Sequence, residues 1–191
     1  EALDIAQGSQ FAPVSTVVGS SDIEVIKDSD VVVVTAGAKQ KPGQSRLDLA
    51  GATINIMKNI LPAAVEQAPN AIFLIVSNPV DVVTYTGLKI SGMSPDRFFG
   101  SGTVLDSSRL RYLVAQDCGV APQTVHAYIV GEHGDSEIPL WSSAMIGAVP
   151  LLQWGETASG KTLDDREREA IHREVVNSAY KIIDGKGSTN Y

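Results

Sequence analysis

A single cysteine, Cys118, occurs among 191 residues. One thiol excludes an internal disulfide and fits a reducing compartment, so a cytoplasmic location is expected. Long apolar runs are missing: none approaches the roughly 20 residues that a spanning helix needs, and no membrane partner is expected. Positive charge is in deficit, 15 Lys and Arg against 22 Asp and Glu, for a net charge of −7 and a pI near 4.9. Such a balance argues against nucleic acid or an anionic membrane surface as the main partner, while leaving room for a local basic pocket. Repeats and low-complexity segments are absent. Histidines number three, and His126 and His172 stand at no recognised ligand spacing from His133. A metal-dependent hydrolase built on Glu132, His133 and Asp135 would therefore lack ligands, and no metal is expected.

What is present suits a folded α/β chain, 43% hydrophobic and 19% charged. Neither end reads as a domain boundary. Glu1 to Gly8 looks like the tail of a helix stopped by Gly8, and the chain closes just past an amphipathic pattern, so it is expected to be part of a longer protein. Val14 to Val18 is β-prone, and Ile23 to Ser29 is polar enough for a surface connection or short helix. Asp30-Val31-Val32-Val33-Val34-Thr35 is apolar without alternation and β-branched, the pattern of a strand buried on both faces. The small residues Ala36-Gly37-Ala38 follow at the edge where open α/β sheets admit ligands.

A polar loop, Lys39 to Arg46, with a Pro-Gly turn precedes a helical pattern from about Leu47 to Gln67. It reads either as a lid carrying Arg46 or as a solvated loop. A second buried run, Ala71 to Val76, leads into Ser77-Asn78-Pro79, with Pro79 placed to open the next helix. Asn78 then either caps that helix or faces a ligand at the same sheet edge as Gly37. Phe98-Phe99-Gly100 joins a β-prone piece to a helix from Val104 to Gln116. On that helix Asp106 and Arg109 share a face, and Arg111 lies about 200° round from Arg109.

Val125 to Val130 is a strand pattern that ends near Gly131-Glu132-His133-Gly134. An imidazole between glycines at the end of a strand suits proton exchange with a substrate oxygen, although a structural turn histidine fits equally. Asp106, His133 and Arg109 would together form an orienting carboxylate, a base and a fork for a carboxylate. Ser136 to Ile146 alternates as a strand with Pro139 at an irregular spot. Gly147 to Thr162 reads as loop, and Leu163 to Asp184 as a helix with acidic residues in its first turn. Strand–helix alternation over the first hundred residues implies a doubly wound parallel sheet, followed by a smaller mixed α+β domain.

These motifs together resemble the lactate/malate dehydrogenase family, on its L-lactate dehydrogenase side. The likeness rests on Thr35-Ala36-Gly37-Ala38 with Lys41-Pro42-Gly43 and Ser45-Arg46, Ser77-Asn78-Pro79-Val80-Asp81, Gly100-Ser101-Gly102-Thr103, Leu105-Asp106-Ser107-Ser108-Arg109-Leu110 and Gly131-Glu132-His133-Gly134-Asp135-Ser136. It implies a Rossmann NAD-binding domain over residues 1–100, lacking its first strands and glycine-rich turn. A substrate domain over residues 101–191 would follow, without its last strands and helix. By the resemblance His133 exchanges a proton with the C2 oxygen of pyruvate or L-lactate, and Asp106 holds it. Arg109 binds the substrate carboxylate, while Arg46 polarises the carbonyl. Asn78 positions the substrate oxygen and the nicotinamide ribose, and Thr35, Ala36, Gly37, Val76 and Ser101 line the NAD site. Thr189 borders the substrate pocket. Gln40 stands where malate-specific relatives carry an arginine, which favours pyruvate over oxaloacetate. Arg111 and His126 match an effector site for fructose 1,6-bisphosphate between subunits of a homotetramer, and the effect would strengthen when His126 is protonated. The alternatives are a malate dehydrogenase acting on oxaloacetate and a non-enzymatic binding module.

Overall fold

The computed structural model describes residues 1–9, 12–38, 46–157 and 160–186, with Arg46, Leu47, Asp48 and Lys186 described by their backbone alone. The chain divides into two compact units, Glu1–Gly100 and Ser101–Tyr191.

The first unit begins with α1 (Ala2–Gly8), a short helix without buried residues. The β-prone piece at Val14 to Val18 forms no strand, and Ile23–Ile26 is a 3-10 helix capped by the Asp22 side chain. Three strands make the sheet: β1 (Val31–Val34), β2 (Ile72–Ile75) and β3 (Phe98–Gly100). They pair in parallel in that order, with Val31 opposite Ile72 and Phe73 opposite Phe98. Parallel pairing requires crossovers, supplied by α2 (Arg46–Gln67) and α3 (Val80–Ser91).

One face of this sheet is packed. Val34, Phe73, Ile75 and Phe98 join Met57, Leu61, Ala64 and Val83 in a core from which water is excluded, with the Phe73 and Phe98 rings stacked 6.1 Å apart. The opposite face corrects the expectation of a strand buried on both sides. Val31 and Val33 are each 54% exposed, and Phe99 is 42% exposed. An apolar run records that a strand is meant for two layers, but α2 and α3 supply only one. Among the described residues nothing covers the second.

The second unit is built on α4 (Val104–Cys118) and α5 (Asp165–Lys186). Gly119 stops α4 in the left-handed conformation, φ +67°, with its N–H returned to the last turn. The strand expected over Val125 to Val130 is instead two short ones, β4 (Val125–His126) and β5 (Ile129–Val130), which pair in different sheets. Likewise Ser136 to Ile146 is not one strand. β6 (Ile138–Pro139) pairs with β5, a 3-10 turn over Trp141–Ser143 intervenes, and β7 (Met145–Ile146) lies between β4 and β8 (Val149–Pro150). Pro139 has no N–H to give the ladder, and one further backbone bond, from the Leu140 N–H to the Tyr128 carbonyl at 2.9 Å, follows it. Part of the expected loop after Gly147 is thus a hairpin, followed by a 3-10 helix over Leu151–Glu156. Leu110, Val114, Val125, Ile129, Leu151, Ile171 and Val175 form the second core.

Candidate active site

The first turn of α4 is fastened to β5 by two hydroxyls. Thr103 Oγ1 donates to the Ile129 carbonyl at 2.7 Å, and Ser107 Oγ accepts the Ile129 N–H at 2.9 Å. Asp106 lies on that turn and is only 2% exposed. Three residues beyond β5 comes His133, brought round by Gly131 at φ +93°, a conformation that side-chain-bearing residues rarely adopt. The anchors on one strand therefore set the spacing of the two reactive groups.

His133 Nδ1 donates to Asp106 Oδ2 at 2.5 Å, and Arg109 Nη1 donates to Asp106 Oδ1 at 3.2 Å. A surface Asp–Arg pair would contribute little, but here the carboxylate is buried and shared by two cationic partners. The hydrogen bond to Asp106 is the main reason that the His133 pKa is raised above the ordinary 6.5, against burial and the charge of Arg109, which oppose it. With Nδ1 bonded to the carboxylate, proton exchange with a substrate oxygen falls to Nε2. The arrangement is an imidazole biased towards its protonated form beside a guanidinium that can fork onto a carboxylate.

Glu137 adds a group that no sequence pattern singled out. It is 4% exposed, and burial, then the charge of Asp106, push its pKa up to about 7. Its Oε1 lies 3.9 Å from Nε2 of His172 on α5. A glutamate on an irregular turn has no periodicity to announce its burial. Thr103 and Ser107 were equally silent, although their four-residue spacing around Asp106 puts all three on one side of the turn.

The residues expected to line a cofactor site lie mostly in the first unit. Thr35, Ala36 and Gly37 follow β1 and are exposed, Val76 follows β2 and is half-buried, and Asn78 is exposed. Ser77 Oγ donates to the Ala36 carbonyl at 2.5 Å, and the Ala38 N–H donates to Thr53 Oγ1 at 3.3 Å, which fixes this loop at the carboxyl edge of the sheet. A Cβ on Gly37 would meet Thr53 and Ser77 only at ordinary contact distances of 3.7 and 3.8 Å. The packing of the described residues therefore does not demand glycine, and the bare backbone fits a ligand pressed against it. Asn78 Oδ1 accepts the Val80 N–H at 3.3 Å from one residue before the N-cap, because Pro79 takes the N-cap position and α3 begins at Val80 rather than at Pro79.

Ser101 opens the second unit and is half-buried. Arg46 is the first residue of α2, and its side chain falls outside the described residues, as do Gln40 and Thr189 entirely. Arg111 stands apart from the Asp106 cluster. Its Nε donates to the Ala127 carbonyl at 2.9 Å, and its guanidinium lies 4.6 Å from the centre of the Tyr128 ring. His126 is exposed on β4, at the edge of its sheet. No group of three or more His, Cys, Asp or Glu among the described residues is placed to hold a metal ion.

Two family models match. One described as lactate/malate dehydrogenase, NAD binding domain, covers residues 1–100, and one described as lactate/malate dehydrogenase, alpha/beta C-terminal domain, covers residues 103–191. All 191 residues align with an L-lactate dehydrogenase of Bifidobacterium animalis at 60% identity, over 60% of that protein. An L-lactate dehydrogenase B of Hordeum vulgare is 46% identical over the whole chain and 55% of its own length. The fold superposes on a minor L-lactate dehydrogenase from Enterococcus mundtii, solved with ligands bound, with a TM-score of 0.90 and 37% identity over 100% of this chain and 60% of that one. The chain thus spans about three fifths of the length of these relatives.

Proposed function

Because the chain belongs to the lactate/malate dehydrogenase family, we propose that the protein carrying it interconverts pyruvate and L-lactate with NAD as cofactor. The observation that carries this reading is the buried Asp106 joined to both His133 and Arg109. The nicotinamide, when bound, supplies the hydride that goes to C2 of pyruvate. His133 gives its Nε2 proton to the C2 oxygen, so the oxygen that gains electron density becomes the C2 hydroxyl of lactate. Asp106 keeps the ring in the donating orientation and stabilises the imidazolium before transfer. Arg109, held by one nitrogen at Asp106, presents its remaining nitrogens to the substrate carboxylate. Thr35, Ala36, Gly37, Val76, Asn78 and Ser101 are proposed to line the cofactor site, Asn78 also reaching the substrate oxygen. Arg46 is proposed to polarise the carbonyl and Thr189 to border the pocket.

Pyruvate rather than oxaloacetate is the proposed substrate because Gln40 offers no cation for a second carboxylate, and burying such a group unpaired is costly. The relatives named L-lactate dehydrogenase support that side of the family. The deciding experiment is an assay of the protein with NADH against both 2-oxo acids. A higher kcat/KM for pyruvate is expected, and Gln40→Arg should move the preference towards oxaloacetate. A wild-type preference for oxaloacetate would overturn the reading. A homotetramer, a cytoplasmic location, and an effector site for fructose 1,6-bisphosphate at Arg111 and His126 complete the proposal.

A further inference from the structure

Glu137 is the buried ionisable group near His133 that the reaction, as proposed, does not use. Its carboxyl is 4% exposed. Oε1 has no hydrogen-bond partner, and neither has Nε2 of His172, although both atoms are shielded from solvent among the described residues. Two orphaned polar atoms 3.9 Å apart, one on the catalytic turn and one on α5, are a costly arrangement unless a small movement closes them. One proton between them would satisfy both, whichever atom carries it.

We propose that Glu137 is a positioning residue for the acid–base pair: closed against His172 of α5, its buried carboxylate helps His133 to keep its proton. This inference rests on the dehydrogenase reading above. The groups that face Glu137 are Asp106 and Arg109 from α4, His133 and Asp135 from the turn, and His172 from α5. Asp106 and Asp135 disfavour the carboxylate, while His133 and Arg109 favour it. Burial above all, with the charges of Asp106 and Asp135 adding to it, explains why Glu137 ionises late, with its pKa pushed up to about 7. Its negative charge, once developed, favours the protonated form of His133. His172 gives α5 a hold on that balance, since its Nε2–H can stabilise the carboxylate.

The test is the pH profile of pyruvate reduction, kcat and kcat/KM, by the full protein, comparing wild type with Glu137→Gln. The alkaline limb is expected to move to lower pH by about half a unit or more, a fall of roughly threefold at pH values above the limb, with activity on the acid side retained. His172→Gln should move the limb in the same direction and serves if Glu137→Gln does not fold. Superimposable profiles would overturn the inference. So would an equal loss at every pH with the limb unmoved, which marks a merely structural residue. A wild type that fails to reduce pyruvate at any pH identifies failure of the dehydrogenase reading instead.

Discussion

Asp106 is the residue on which the site depends, because one buried carboxylate satisfies His133 with one oxygen and Arg109 with the other. His133→Asn removes the proton donor and should lower turnover by about 10²- to 10⁴-fold. Asp106→Asn should do so to a similar degree, and it also leaves Arg109 without its buried counter-charge, so some loss of stability is expected. NADH binding, read by a fluorescence titration, should survive both changes, and near wild-type kcat in either variant would reject the pair. The sign of the pH dependence follows from the raised pKa of His133. Reduction needs the imidazolium and should fade as pH rises through a value above 6.5, whereas oxidation of lactate needs the neutral ring and should grow there. Glu137 makes a separate prediction about stability. Its carboxyl loses its proton near 4.5 when unfolded but at about 7 when folded, so unfolding releases a proton between those values. The stabilisation is full below about 4.5 and is lost as pH rises through 7. Thermal unfolding of Glu137→Gln should consequently show a smaller decline from pH 5 to pH 8 than the wild type; equal slopes would mean that the folded carboxyl titrates normally.

At the scale of elements, α3 packs so closely on β3 that two glycines become obligatory. A Cβ on Gly87 would lie 2.7 Å from Phe98 Cζ, and one on Gly100 would lie 2.4 Å from Thr84 Oγ1 and 3.1 Å from Val80 Cγ2. Gly100→Ala should therefore cost about 1–3 kcal/mol, seen as a lower Tm. Gly37→Ala should leave Tm nearly unchanged yet weaken NADH binding, because its Cβ meets only relaxed contacts within the chain. A Gly37→Ala protein that binds NADH like the wild type would remove Gly37 from the cofactor wall. The contrast also shows what the sequence can reveal. Gly37 was legible as a small residue after a buried strand, and the helices α2, α4 and α5 were legible from apolar spacing, ending within a few residues of where expected. The tight glycines Gly87 of α3 and Gly100 of β3 were not, since close approach is a property of two elements and leaves no mark on either alone. The short strands of the second unit failed for a related reason. Alternation over Val125 to Val130 fits one strand, yet Ala127 and Tyr128 lie between two sheets, with Ala127 fully buried and its carbonyl turned to Arg111. Local pattern fixes which side chains are buried there, but not which neighbour they pair with.

At the scale of the whole molecule, the question is whether Arg111 and His126 report an effector to the reaction. Arg111 cannot serve a substrate at the place proposed for it beside Arg109. It points to the Ala127 carbonyl and over the Tyr128 ring, while Arg109 points to Asp106. The Nε bond and the ring hold the guanidinium plane before any ligand arrives, which lowers the entropic cost of binding a phosphate. His126 is exposed on β4, at the edge of its sheet, so it is open to an anion from solvent and joins Arg111 in the pair proposed from the family resemblance. In a symmetric oligomer such a patch, repeated across a two-fold axis, gathers positive charge that a doubly phosphorylated sugar neutralises. A ligand that binds the active quaternary arrangement more tightly shifts the population towards it. Fructose 1,6-bisphosphate should accordingly lower the apparent KM for pyruvate while leaving kcat nearly unchanged. Arg111→Gln should abolish the response, with some loss of stability from the missing bond to Ala127. His126→Gln makes no such sacrifice, because its side chain is exposed, and should blunt the response with an unaltered Tm. Pyruvate titrations of the full protein with and without the sugar bisphosphate measure all of this, and coincident wild-type curves would show that the patch is not a switch.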